Sequence, residues 1–136
     1  MTRWTVSSIT DLPVVPDGEP GDPVWYPLQH ALGIDTFGAN VFVGRHADQL
    51  LVEAHDERGS GQQELYLVLD GSAAFELDGE EARLEQGDVL AVTDPGVRRS
   101  ATALTAGTTL LVVGAAEGPF ESTWNPAHFA KVPRPE

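Results

Sequence analysis

Residues 64–79 read Glu64-Leu-Tyr-Leu-Val-Leu-Asp-Gly71-Ser-Ala-Ala-Phe-Glu-Leu-Asp-Gly79. Two apolar runs, 64–69 and 72–77, are each closed by Asp-Gly, a dipeptide that accepts the positive φ angles of tight turns. The runs are too short for helices and are bounded by turn residues, which marks them as strands. In the first run Glu64, Tyr66 and Val68 share one parity, so they face the same side of a sheet. That places a carboxylate and a phenol on the face that also carries an interior valine.

The same grammar extends in both directions. Strands are expected at 39–43 and 49–55 upstream, and at 82–84, 89–92, 100–104 and 108–113 downstream. Gln86-Gly87-Asp88 and Asp94-Pro95-Gly96 punctuate the second group. About eight short strands at this spacing indicate a sandwich or barrel, and no helical periodicity lies between them to build parallel βαβ units. Residues 1–27 hold five prolines and read as an extended arm, with a short strand near Trp4–Ser8. Leu28–Leu32 suits one helical turn. Asn125-Pro126 resembles a helix start, with Trp124 and Phe129 as packing anchors in an otherwise extended tail.

Composition narrows the function classes. The 136 residues, 41% of them apolar, make one globular domain. There is no cysteine, which excludes thiolate metal sites and cysteine nucleophiles. The net charge of −13 repels phosphate backbones and anionic membrane surfaces, so neither nucleic acid nor membrane is expected as a partner. No membrane-length apolar run or secretion-type N-terminus is present, and a cytoplasmic location is the expectation. The sequence holds no phosphate-binding Gly-x4-Gly-Lys-Ser/Thr loop and no Gly-x-Ser-x-Gly elbow. Paired carboxylates for glycoside hydrolysis remain conceivable among Glu53, Glu57 and Glu64.

The order of motifs from His55 to Ser100 resembles the cupins. Their first motif runs Gly-x5-His-x-His-x3 or x4-Glu-x6-Gly, and Glu64 to Gly71 matches its second half without a gap. Phe75–Gly79 and Glu85–Val92 resemble the connecting hairpin and the start of the second motif, Gly-x5-Pro-x-Gly-x2-His-x3-Asn. Pro95-Gly96-Val97-Arg98-Arg99-Ser100 resembles its turn and exit. The resemblance implies an all-β, cupin-type jelly-roll β-barrel over residues 38–115. It also implies an N-terminal arm (1–37) packing on the barrel or a partner subunit, a tail (116–136) in the same domain, and a homodimer. A small-molecule ligand would sit inside the barrel, and a full cupin site would hold a divalent transition metal (iron, manganese, nickel or zinc) on three His and one Glu.

This chain departs from that ligand set. His55 fits the first His, but Glu57 stands at the second, and six residues separate Glu57 from Glu64. Gln49 replaces the opening glycine. Arg99 falls on the His of the second motif, and Ala103 on its closing Asn. Two readings follow. In one, His55, Glu57 and Glu64 hold a metal, with Glu53 as a further ligand on the same face, in a metal-dependent dioxygenase or isomerase. In the other, Arg99 pairs bidentately with Glu64 in place of a metal, and Arg99 or Arg98 holds an anionic group of the ligand. The protein is then a small-molecule-binding cupin or a metal-independent isomerase or cyclase. Glu64, Tyr66 and Arg99 are the catalytic candidates, and Asn40, His55, Glu64, Tyr66 and Arg99 the ligand-binding ones. His30, His46 and His128 lie outside the motifs and read as solvated or capping residues.

Overall fold

The computed structural model describes residues 3–16, 18–116, 118–120 and 125–134. Among the described residues nine strands form: β1 (Val24–Tyr26), β2 (Gly38–Val43), β3 (Leu50–His55), β4 (Gln62–Asp70), β5 (Ser72–Leu77), β6 (Glu80–Glu85), β7 (Val89–Val92), β8 (Arg99–Ala103) and β9 (Thr109–Ala116). One helical turn, α1 (Leu28–Leu32), lies between β1 and β2 and ends at Gly33 in the left-handed conformation. The strands make two antiparallel sheets, ordered β1-β2-β9-β4-β7 and β3-β8-β5-β6. Sequence neighbours repeatedly sit in opposite sheets, which is the winding of a jelly roll.

The alternation read from residues 64–68 is realised. Tyr66 and Val68 are buried, with Val112 and Leu110 beside them on β9 and Phe75, Ala101 and Ala103 facing them from the other sheet. Tyr66 packs edge-on against Phe75, ring centroids 5.1 Å apart. Burying two aromatic side chains of this size contributes about 2–3 kcal/mol each.

The two Asp-Gly turns do different work. Asp78-Gly79 closes a two-residue hairpin between β5 and β6, with positive φ at both residues. Asp70-Gly71 instead carries the chain from one sheet to the other, because β4 pairs with β7 and β9 while β5 pairs with β6 and β8. Gly71 has φ +78°, and a Cβ there would sit 2.5 Å from Thr108 Oγ1 and 2.8 Å from Thr108 Cα. Thr108 is fully buried and its hydroxyl donates to the Ser72 carbonyl at 3.0 Å, so it cannot move aside.

Three expectations from the sequence are corrected. No strand forms at Trp4–Ser8: the segment has no sheet partner, Trp4 is 75% exposed, and a short 3-10 turn (Ile9–Asp11) follows. The arm does supply a strand that its prolines hid, β1, paired with β2 through Trp25 and Phe42. In the tail Asn125 does cap a helical turn, a 3-10 turn over Pro126–Phe129, but Phe129 is 49% exposed and is not among the described residues of the core. Trp124 lies outside the described residues.

The Gly71 crossover yields the first test. Gly71→Ala should destabilise the protein by roughly 3 kcal/mol or more, from positive φ plus a clash with Thr108 backbone. Gly79→Ala, where a Cβ meets nothing within 4 Å, should cost only the backbone penalty of about 1 kcal/mol. Urea denaturation of the two variants checks the difference, and equal losses would contradict the crossover geometry.

Candidate functional site

A cavity of about 490 Å³ opens at one end of the barrel. Its walls come from both sheets: Trp25, Asn40, Phe42, Glu64, Tyr66 and Val112 from the five-stranded sheet, and Leu51, Val52, Glu53 and His55 from β3. The remaining wall is the proline-rich strap, through Val15, Pro16, Gly18, Asp22 and Pro23. One buried side chain ties the strap down. The Gln49 amide donates to the carbonyls of Gly21 (3.1 Å) and Asp22 (2.7 Å), while its oxygen accepts from Arg45 N–H. Val15 N–H adds a bond to the Trp25 carbonyl at 2.9 Å.

β3 does not run as a regular strand. Its register against β8 shifts twice between Leu50 and His55, and Leu51 and Val52 are both buried. The irregularity delivers Glu53 and His55 to the cavity together with two apolar neighbours. Glu57 follows beyond the strand end. The longer loop after it curls back, with Gly61 N–H and Ser60 N–H both donating to the Glu57 carbonyl, and the Ser60 hydroxyl donates to the Glu57 carboxylate. The carboxylate is thereby held against His55, with Nε2 to Oε1 3.0 Å.

Among the described residues, His55, Glu57 and Glu64 bring their ligating atoms within 4.8 Å of one another. His55 Nδ1 lies 2.7 Å from the Glu53 carbonyl, which can only accept, so Nδ1 carries a proton. Nε2 then faces the Glu57 carboxylate, another acceptor, and a cation or a second proton must mediate the contact. Anchoring Nδ1–H on a carbonyl is also how metal-bound histidines are oriented. A separation of 3.0 Å suits adjacent ligands about 2.1 Å from one ion. The three residues therefore fit a divalent transition metal. The Glu53 carboxylate is not part of this group; only its backbone carbonyl touches it, as the acceptor for His55 Nδ1.

Glu64 has a second set of neighbours. Its Oε1 accepts the Tyr66 hydroxyl at 2.6 Å and lies 3.5 Å from Arg99 Nε. Arg99 is fully buried on β8, directly opposite His55 in the β3–β8 register. Its Nη1 donates to the Val97 carbonyl at 2.8 Å, while Nε and Nη2 have no hydrogen-bond partner among the described residues. The pair is thus an ion pair with a single long contact and not the bidentate fork expected from sequence, because one arm of the guanidinium is turned to the Val97 carbonyl in the turn that precedes its strand. Arg99, expected from the sequence to hold an anionic ligand group, is fully buried and is not among the described residues that line the cavity; it stands behind Glu64. Arg98 is exposed, with its guanidinium on the Ala54 carbonyl (3.4 Å), and is not among the lining residues. Burial, and then the Glu64 carboxylate that accepts its hydrogen bond, push the Tyr66 phenol far above its ordinary range; Arg99 offsets part of this. Tyr66 keeps its proton and serves as a fixed donor to Glu64.

Asn40 lines the cavity, and its Oδ1 accepts from Trp25 Nε1 at 2.8 Å. His30 and His46 are exposed and lie away from the cavity lining; His128 sits in the C-terminal 3-10 turn. Trp25, Asp22 and Gln49 were not legible as site residues. The strap's prolines gave no sign of which way it folds, and only a glutamine at a motif's glycine position marked Gln49 as unusual.

No protein-family model matches the sequence, and no curated protein matches it. Solved structures do. A cupin protein from Bacteroides fragilis superposes with a TM-score of 0.69 at 18% identity, covering 91% of this chain and 93% of its own. KdgF from a Halomonas species gives 0.63 at 19%, covering 87% and 96%. A putative sugar phosphate isomerase from Acidithiobacillus ferrooxidans gives 0.59 at 20%, covering 70% of this chain and 60% of its own. The two wound sheets, the cavity at the barrel mouth and these superpositions together establish the fold of this chain as the cupin-type jelly-roll β-barrel.

Proposed function

We propose that the protein binds a small organic molecule in the barrel-mouth cavity and acts on it without a metal, by proton transfer of the isomerase or cyclase type. The observation that carries this reading is the division of the cavity. Asn40, Glu53, His55, Glu64 and Tyr66 supply polar groups, while Trp25, Phe42, Leu51, Val52 and Val112 make the rest of its barrel walls apolar. Such a division is typical of small-molecule sites, where apolar area gives affinity and a few polar groups give orientation. Glu64 is the base: its charge is countered by Arg99 from behind and its orientation is set by Tyr66. His55, on the adjoining wall, is the second proton-handling group. The sugar phosphate isomerase among the superposed structures accords with an isomerase on this fold.

The contact between His55 Nε2 and the Glu57 carboxylate favours a second reading, a metal-dependent cupin enzyme of dioxygenase or isomerase type. His55, Glu57 and Glu64 would hold the ion, which would polarise a ligand oxygen as a Lewis acid. In that case Tyr66 and Arg99 orient Glu64 by the same contacts, and the apolar wall and strap still select the ligand.

The same chain is proposed to work as a homodimer. On the outer face of the five-stranded sheet the register aligns Ala91, Leu65 and Val113 in one row and Val89, Leu67 and Leu111 in the next, while Ala39 and Val41 at the β2 end of these rows are already buried within the chain. Leu65 is 44% and Val89 62% exposed. A sheet face this apolar favours association with a second copy, which would also cover the strand edges.

Two measurements follow. Elemental analysis of protein purified without added ions should find no stoichiometric transition metal; a full equivalent that disappears in His55→Ala would overturn the metal-independent reading in favour of the second. In sedimentation the protein should run at twice the chain mass, with Leu65→Arg shifting it to the monomer; a wild-type monomer at tens of micromolar would remove the dimer.

A further inference from the structure

We propose that the ligand of this cavity is an organic cation, an amine or quaternary ammonium with an apolar flank. The proposal deepens the reading of the cavity as a ligand site and rests on it. Asp22, Glu53 and Glu64 line the cavity, and the Glu57 carboxylate stands 3.0 Å from lining residue His55. No lysine or arginine is among the described lining residues. Arg99, the guanidinium nearest to Glu64, is sealed behind it.

The charge balance decides the class. Three carboxylates of the barrel wall, Glu53, Glu57 and Glu64, and that of Asp22 on the strap, where it accepts from Glu19 N–H, stand against Arg99, and the balance stays negative if His55 is counted as a cation. A cleft with low-dielectric walls concentrates such a field, so a carboxylate or phosphate ligand is repelled on approach and on binding. The net charge of −13 acts in the same direction at longer range.

The aromatic wall is the independent part of the argument. Trp25 and Phe42 pack at 5.9 Å between centroids on one side of the cavity. The indole N–H is committed to Asn40, which fixes the ring, and the Asn40 amide nitrogen is left to donate to a ligand oxygen. Tryptophan is the best π-face for a cation, and the effect grows as the site is desolvated. Leu51, Val52 and Val112 supply the surface for alkyl groups.

Three isosteres test this: choline, its neutral analogue 3,3-dimethylbutan-1-ol, and the anion 3,3-dimethylbutyrate. Each is titrated into the nitrogen-15-labelled full chain while the Trp25 Nε1–H and Asn40 side-chain amide signals are followed. Choline should saturate both signals at a concentration at least about tenfold below the alcohol, and the carboxylate should leave them unmoved. Glu53→Gln, an exposed position where folding is not at stake, should weaken choline about fivefold, and Trp25→Leu by more. Binding of the carboxylate as tight as that of choline, or equal binding of choline and the alcohol, overturns the charge inference while leaving the cavity as a ligand site. Signals unmoved by all three overturn the inference and the cavity reading together.

Discussion

A guanidinium cannot shed its charge, and Arg99 is held with no exposure to water. Taking such an ion out of solvent costs several kcal/mol, so an anion must stand close enough to offset the loss. Glu64 is that anion. It is nearly buried itself, and it shares its Oε1 between Arg99 and the Tyr66 hydroxyl. The arrangement spans the barrel: Arg99 belongs to the four-stranded sheet, Glu64 and Tyr66 to the five-stranded one. One buried charge thus links the two sheets beneath the cavity and determines where the carboxylate of the site points.

What lies above that link is less regular and more specific to this chain. The register shifts in β3 bring His55 and Glu53 to the same wall, and the curled loop after Glu57 keeps a second carboxylate against the imidazole. The strap closes the mouth through the Gln49 amide. A glycine at position 49 could make neither strap bond, so the departure from the motif has a use: it exchanges a small residue for a clamp. Two unpartnered nitrogens on Arg99 are tolerated because the long contact to Glu64 and the bond to Val97 already share its charge.

The barrel was largely legible because a strand's period of two is written directly into residues such as Glu64, Tyr66 and Val68. Both Ser72–Leu77 and Val89–Val92 fall where the turn residues put them. The role of Asp70-Gly71 was not legible, since a tight turn and a sheet crossover ask for the same glycine; only the distance to Thr108 separates them. In the site, His55, Glu57 and Glu64 were found from motif spacing, and they do converge. The form of the Arg99–Glu64 contact was out of reach, because it depends on which nitrogen of the fork faces the carboxylate. Trp25 and the strap were hidden for a related reason. Prolines forbid helices but do not say what an extended segment lies across.

The link between Arg99 and Glu64 is measured most directly by a double-mutant cycle in stability, with Arg99→Met, Glu64→Gln and the two combined. If the buried guanidinium holds Glu64 in place, the double change should cost less than the sum of the two single changes, with a coupling of about 1–3 kcal/mol. Losses that add to within about 0.5 kcal/mol would mean that Glu64 stands where it does without Arg99, and the account of the site would fail at its base.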